Sequence, residues 1–408
     1  MADGGALAGI EVLDLTQGIA GPYCTKLFSD YGAEVLKIER PASGDPSRRA
    51  GPFPDDAPHP ERSGLFLDLN TGKHSLTLDL KTDTGARILR RLAGDADLVV
   101  ESFRPGTLAR LGLDGAALDE ANPAATLVSI SNFGQSGPYR DLEADDMLVY
   151  AMSGGQAVTG VPGREPNKLG LYAPLFYAGA VAATMAFGAL TAARRSGVGE
   201  RVDLSIHEVL ATSMDRAAQN LMAIEYSGAA HRTIEAHHRA SAFPGGVYGG
   251  QLPCKDGYIT IMCYPHWWDR FCRMIGRPDL IDDARYVERL QDPGFGPEID
   301  ALFLPWVLER TKAEVMREGQ SQGVPVAALN TMEDIFGDPQ LRERGYFTLL
   351  DHPEAGRLEY PGPPFRLSEH PARIRRAPLL GEHSSEVLTG RLGYSPQDVV
   401  VLRQRGVV

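Results

Sequence analysis

The chain has 408 residues, 43% of them hydrophobic and 23% charged, which fits a folded globular protein with a sizeable core and excludes disorder on a large scale. A formal net charge of −12 argues against nucleic acid as a partner, yet a local cluster of Arg and Lys could still hold a small anion. Cys24, Cys254, Cys263 and Cys272 form no CxxC pair and point to neither a zinc site nor a disulfide framework, so a reducing cytoplasm is expected.

The opening reads as β-α-β: a strand over Ile10–Leu15, a turn at Gly18–Pro22, a helix over Tyr23–Tyr31 and a strand over Glu34–Ile38. No signal peptide is evident before it. Pro41–Ser63 is rich in Gly and Pro and is predicted to be surface loop. Further strands are expected over His74–Leu80, Leu98–Val100, Thr126–Ile130 and Arg201–Ile206, with helices over Asp83–Leu92, opened by Thr82, and from Gly106 to Gly112. This alternation predicts an α/β fold with a largely parallel sheet.

Ala173–Ala193 carries no charge over 21 residues, a length that would span a membrane. Its Ala and Gly content and the polar strand that follows favour a buried helix in a soluble core instead, and no membrane association is expected. His207–Glu225 reads as a long amphipathic helix, and Cys254–Tyr264 as a strand pair or a turn leading into a strand. Trp267, Trp268 and Trp306 all fall in the region that follows His207–Glu225, which reads as a second, smaller domain. The tail returns to turns, Pro and charge. His237, His238 and His266 have no metal-ligand spacing and are read as polar loop residues, so no metal site is expected.

Leu13–Arg48 (LDLTQGIAGPYCTKLFSDYGAEVLKIERPASGDPSR) resembles the N-terminal signature of the class III CoA-transferase (CaiB/BaiF) family. So do Asn70–Lys81 (NTGKHSLTLDLK), Val100–Gly112 (VESFRPGTLARLG), Ser129–Tyr139 (SISNFGQSGPY), Gly197–Ser205 (GVGERVDLS) and Pro253–Tyr258 (PCKDGY). The resemblance implies a Rossmann-like large domain plus a smaller one, in an interlocked dimer. The expected division is 1–221 for the first part of the large domain, 222–335 for the small domain, and 336–408 for a segment returning to the large one. Coenzyme A or its acyl thioester is the implied ligand. The residues that carry over as its contacts are Arg40, Leu78, Lys81, Ser102, Phe103 and Arg110, with Arg104 an extra cation in the same loop. Guanidinium groups match phosphate bidentately, and Phe103 offers a ring to adenine. Position 102 is Asn in several relatives and Ser here.

Acyl exchange in this family runs through an Asp that attacks the thioester, and a side chain that cannot form an acyl anhydride cannot perform it. That Asp stands four residues before the Gly that opens the Ala-rich helix. Here the Gly is Gly179, and the position holds Leu175. No Asp or Glu lies between Glu165 and Glu200, so a small shift of register restores no carboxylate. Asp145 and Asp146 are the nearest alternatives, and Asp145 stands where the family's racemases carry a His. The resemblance therefore implies the non-catalytic subunit of a heteromeric transferase, with a homologous Asp-bearing partner. Succinyl-CoA is the implied donor and (R)-benzylsuccinate a candidate acceptor. A displaced carboxylate, or a CoA-thioester scaffold that transfers nothing, are the competing expectations.

Overall fold

The computed structural model describes residues 5–160, 164–213, 215–228, 248–290, 292 and 295–408. Six strands form one parallel sheet: β1 (Glu11–Leu15), β2 (Glu34–Glu39), β3 (His74–Thr77), β4 (Leu98–Glu101), β5 (Thr126–Ser131) and β6 (Arg201–Ser205). Their order is β3-β2-β1-β4-β5-β6, so the chain winds outward from β1 in one direction and then from β4 in the other. This is the doubly wound Rossmann order, and the crevice at its reversal lies beyond the carboxyl ends of β1 and β4.

Because side chains alternate along a strand, each strand feeds two cores. Val12, Val35, Val100 and Ile130 point to one face, covered by the Ala20–Asp30 and Ala173–Ser196 helices. Leu13, Leu36, Val99 and Leu127 point to the other, against the Asp83–Gly94 helix and the carboxyl-terminal Val387, Leu388 and Leu402. Thr82 caps Asp83–Gly94 by accepting from Gly85 N at 3.0 Å.

The described chain divides into two units. The larger comprises residues of Met1–Gln156, Lys168–Met222 and Glu343–Val408, the smaller those of Ala157–Asn167 and Ala223–Arg342. The smaller holds an antiparallel three-stranded sheet of Tyr248–Cys254, Gly257–Cys263 and Val326–Ala328, packed on helices around Phe271, Phe303 and Val315.

Three expectations are corrected. Pro41–Ser63 is no surface loop throughout: Asp45, Ser47, Arg48 and Ser63 within it are buried. The third strand ends at Thr77 rather than Leu80. Helix covers Ile206–Ser213 and Asp215–Ser227, over the stretch expected as a long helix from His207 to Glu225. The Ala173–Ser196 helix buries only one stripe, while Tyr172, Tyr177 and Met185 are exposed in the single chain. It is long and apolar enough to cross a membrane by composition, yet its buried stripe of Ala178, Ala182, Ala183 and Ala186 joins the core of the larger unit. Within the tail, the Phe347–His352 and Gly356–Pro361 hairpin and the Pro396–Gln404 helix were not anticipated.

The buried part of 41–63 serves an ionic cluster. Asp14, fully buried at the end of β1, accepts from Thr16 N at 2.9 Å, Thr16 Oγ1 at 2.5 Å and Thr25 Oγ1 at 2.7 Å, and from Lys73 Nζ at 3.0 Å. Lys37 Nζ donates to Thr16 O and pairs with Asp45 at 2.9 Å. Beside it, Arg48 grips Glu39 through Nε and Nη2 at 2.7 and 2.8 Å and stacks 3.6 Å above Phe66. Burial alone would push the Asp14 carboxyl up, but the Lys37 and Lys73 ammonium groups and the threonine hydroxyls hold it well below the usual carboxylate range. Burial, with Lys37 adding to it, brings Lys73 down to about 8 against the pull of Asp14.

Removing Asp14 leaves the buried Lys73 ammonium without its carboxylate, while Lys37 keeps Asp45, so Asp14→Ala should destabilise the chain by about 3–5 kcal/mol in urea unfolding. Since the folded carboxyl titrates below its unfolded value of 3.8, its stabilisation is full above that pH and is lost as pH falls through the folded value. The wild-type urea midpoint should therefore drop on acidification below about pH 4 more steeply than that of Asp14→Asn.

Candidate functional site

The crevice at the strand reversal is an open cavity of about 820 Å³. Its floor is the turn after β1, Gln17–Gly21, and its walls are the segments that leave β4 and β5. Two hydrogen bonds fix the floor: Gln17 N donates to Ser102 Oγ at 2.9 Å and Gly18 N to Asp45 Oδ1 at 3.1 Å. The ionic cluster thus reaches the cavity through Asp45.

The β4 wall carries Ser102, Phe103, Arg104 and Arg110. Glu101, buried at the strand end, accepts from Phe103 N at 2.7 Å and so sets the course of that loop. Burial pushes the Glu101 carboxyl up, and Asp203 adds to it. Asp203 in turn accepts from Gln135 N at 3.0 Å, which holds the GQSGPY loop on the other wall. Ser102, expected as a ligand contact, also supports the floor.

A second cavity of about 210 Å³ opens between the ends of β2 and β3 and shares Gln17 and Phe103 with the first. Arg40, Leu78, Lys81 and Phe103 all line it. A third, of about 630 Å³, runs along Lys81, Arg87, Arg90 and Arg110. All seven residues expected as ligand contacts therefore line adjoining cavities of the larger unit, although Leu78 and Lys81 were expected on one strand and stand beyond its end. Arg87 and Arg90 were not singled out; their spacing on one helix face with Lys81 just before them was the available signal.

Leu175 lines the large cavity together with Ile19, Ala20, Gly21 and Ile206. It sits there because the Ala173–Ser196 helix meets the start of the Ala20–Asp30 helix at very short range. A Cβ built on Gly179 would lie 2.4 Å from Ala20 O, so only glycine permits the approach. One turn earlier, Leu175 packs partly buried on the core beneath the cavity.

Asp145 also lines the cavity, but its carboxylate caps the Asp146–Met152 helix, accepting from Leu148 N at 3.0 Å. Asp146 is ion-paired with Lys168 at 2.6 Å and is not among the lining residues. No cluster of three or more potential metal ligands occurs among the described residues. His266 packs against Tyr264 and Trp267, and His237 and His238 lie outside the described residues.

The sequence profile of CoA-transferase family III matches residues 7–384. This chain belongs to that family. It is 31% identical over 403 residues to a succinyl-CoA–D-citramalate CoA-transferase of Chloroflexus aurantiacus, covering 98% of this chain and 97% of the relative. It is also 31% identical over 407 residues to the alpha subunit of a succinyl-CoA–L-malate CoA-transferase of Chloroflexus aurantiacus, covering 98% and 92%. Among solved structures, a CAIB/BAIF family protein of Brucella suis superposes with a TM-score of 0.82 at 28% identity, covering 95% of this chain and all of that one. The parallel six-stranded sheet and its helices match this fold. Family III CoA-transferases use CoA thioesters as substrates, so the chain is of an enzyme family whose ligand carries phosphates, an adenine and a reactive acyl carbon.

The Gly179–Ala20 contact sets the position of Leu175, so Gly179→Ala should cost about 1–3 kcal/mol in thermal or urea unfolding by forcing the two helices apart. Gly188→Ala, where a Cβ meets nothing within 4 Å, should be neutral or slightly stabilising in the same measurement.

Proposed function

We propose that this chain is the Asp-lacking subunit of a heteromeric class III CoA-transferase, which moves CoA between an acyl-CoA such as succinyl-CoA and a carboxylic acid. The observation that carries the reading is Leu175, an isobutyl group on the cavity wall where the family's chemistry requires an ionised oxygen. In that chemistry a carboxylate oxygen attacks the thioester carbon, the C–S bond breaks and CoA leaves as thiolate. The thiolate then attacks the resulting anhydride at the enzyme's own carbonyl and frees the donor acid. A hydrocarbon can take neither part.

The lining residues supply the other half of the task. Arg40 and Lys81 offer charge at the rim of the smaller cavity, Leu78 and Phe103 offer apolar surface to adenine, and Ser102, Arg104 and Arg110 face the larger one. The chain would thus shelter a CoA thioester while a homologous Asp-bearing subunit performs the transfer. The similarity to the alpha subunit of a succinyl-CoA–L-malate CoA-transferase, one part of a multi-subunit enzyme, supports such an assembly. The exposed face of the Ala173–Ser196 helix gives a partner chain apolar surface to cover. (R)-benzylsuccinate is our candidate acceptor, and the aromatic Tyr172, Phe176 and Tyr177 near position 175 suit an aromatic acid.

One competing reading has a specific observation behind it: Asp145 lines the same cavity as Leu175. Its use as a cap weighs against it, because an attacking carboxylate must leave the Leu148 amide and meet the thioester carbon at near-attack distance.

The isolated chain should show no acyl exchange between succinyl-CoA and a panel of dicarboxylic acids. Activity should appear when an Asp-bearing paralogue is co-expressed, and Asp145→Asn in this chain should leave that activity within about twofold. Turnover by the isolated chain that disappears in Asp145→Asn would reject the proposal in favour of the displaced nucleophile. Calorimetric titration with CoA separates a subunit that binds the thioester from one that only scaffolds its partner.

A further inference from the structure

The rim of the large cavity carries three guanidinium groups, Arg104, Arg110 and Arg140, and three carboxylates, Asp141, Glu143 and Asp145. They are not equivalent. Arg110 and Arg140 both reach the bare face of Gly106: a Cβ built there would stand 3.1 Å from Arg140 Nη2 and 3.9 Å from Arg110 Nη1. The two groups are therefore near enough for one phosphate to touch both. Arg110 donates to Thr107 Oγ1 at 2.8 Å, and Arg140 lies 3.6 Å from the carboxylate of its chain neighbour Asp141. Arg104 instead makes a 2.5 Å ion pair with Glu143, bridging from the β4 loop to the loop that follows the GQSGPY segment.

That pair is built to be exchanged. Its side chains are 77% and 75% exposed, so water screens it and it contributes little to folding. Asp145 beside it is occupied by the Leu148 amide, and Asp146 by Lys168, so neither competes for Arg104. Glu143 holds Arg104 at 2.5 Å, closer than Asp141 holds Arg140 at 3.6 Å, and it adds a negative charge where an anionic ligand must enter.

We propose that Glu143 is an internal competitor for the anion-binding site: its carboxylate holds Arg104 in the free chain and is displaced when the phosphates of CoA engage Arg104, Arg110 and Arg140. The inference rests on the reading of this cavity as the CoA site. It goes further in giving a carboxylate the task of weakening affinity, and in adding Arg140 to the cationic set. Such a device keeps a tightly charged ligand from binding too strongly to leave, because each departure is assisted by re-formation of the Arg104–Glu143 pair. It also predicts a substitution whose effect has the opposite sign to that of its ion-pair partner.

The test is calorimetric titration of the full chain with unacylated CoA, which carries phosphates but no carboxylate. Glu143→Gln should tighten CoA by about three- to tenfold, whereas Arg104→Gln and Arg140→Gln should each weaken it by a similar factor. In the Arg104→Gln background the gain from Glu143→Gln should shrink to less than half, since the competing pair is already gone. Free succinate in place of CoA should show no gain from Glu143→Gln. A Glu143→Gln chain that binds CoA as weakly as wild type, or more weakly, would overturn the competitor role, as would an undiminished gain without Arg104. If the wild-type chain binds no CoA while Glu143→Gln does, the competitor role stands; if neither binds, the CoA reading itself falls and the proposal with it.

Discussion

The cavity depends on Asp14, a carboxylate with no exposed surface that ends the first strand. It would be costly there without partners, and it has several: two threonine hydroxyls, a backbone amide and the ammonium groups of Lys37 and Lys73. Lys73 ties it to the chain just before the third strand through Asn70 Oδ1 and to the start of the Ala20–Asp30 helix through Pro22 O, and Lys37 ties it to Asp45. Asp45 then holds Gly18 N, and Ser102 holds Gln17 N. The turn that floors the cavity is thus fixed by the buried charge network through Thr16 and Asp45, and separately by Ser102. The neighbouring Glu39–Arg48–Glu61 chain extends the same logic outward to Pro378 O, joining the carboxyl-terminal segment to the second strand.

On this rigid floor the functional difference is a matter of one wall. The Ala173–Ser196 helix is pressed against the Ala20–Asp30 helix at Gly179, and that contact delivers position 175 to the cavity whatever its side chain. A carboxylate there would face the same volume. Leucine at this position packs on the core below and brings no carboxylate to the cavity. Charge is retained elsewhere on the rim, where Arg104, Arg110 and Arg140 remain. On the proposed function, this arrangement would preserve recognition and discard reaction, the combination expected of a subunit that depends on a partner.

The alternation of strand and helix was legible because strands such as Glu11–Leu15 and Leu98–Glu101 are short runs rich in apolar residues and the Asp83–Gly94 helix carries a cap in Thr82. The clustering of Arg40, Leu78, Lys81, Ser102, Phe103, Arg104 and Arg110 around adjoining cavities followed from motif order, since all but Arg110 stand just past strand ends on one side of a parallel sheet and Arg110 closes the short helix that follows β4. What the linear pattern concealed were partners distant in sequence. Lys37 and Lys73 looked like ordinary charges in strand-like runs, and only folding brings them to Asp14. Pro41–Ser63 looked like surface because Gly and Pro dominate it, yet Asp45 and Arg48 are drawn inward by Lys37 and Glu39. The edge of β3 is covered by His383 and Ser384, which take hydrogen bonds from Ser75 N and Thr77 N at 3.2 Å, more than three hundred residues away along the chain. The final helix did carry a local sign, the Ser395–Asp398 capping box, within a tail that otherwise read as turns.

On the proposed function, this polypeptide shelters a thioester without ever bonding to its acyl carbon. Intact-protein mass spectrometry, after incubation of the purified chain with succinyl-CoA and rapid acid quench, addresses it directly. The account predicts a mass identical to that of the untreated chain. A succinyl or CoA adduct on any side chain, formed in proportion to the protein and released by free acid, would contradict it.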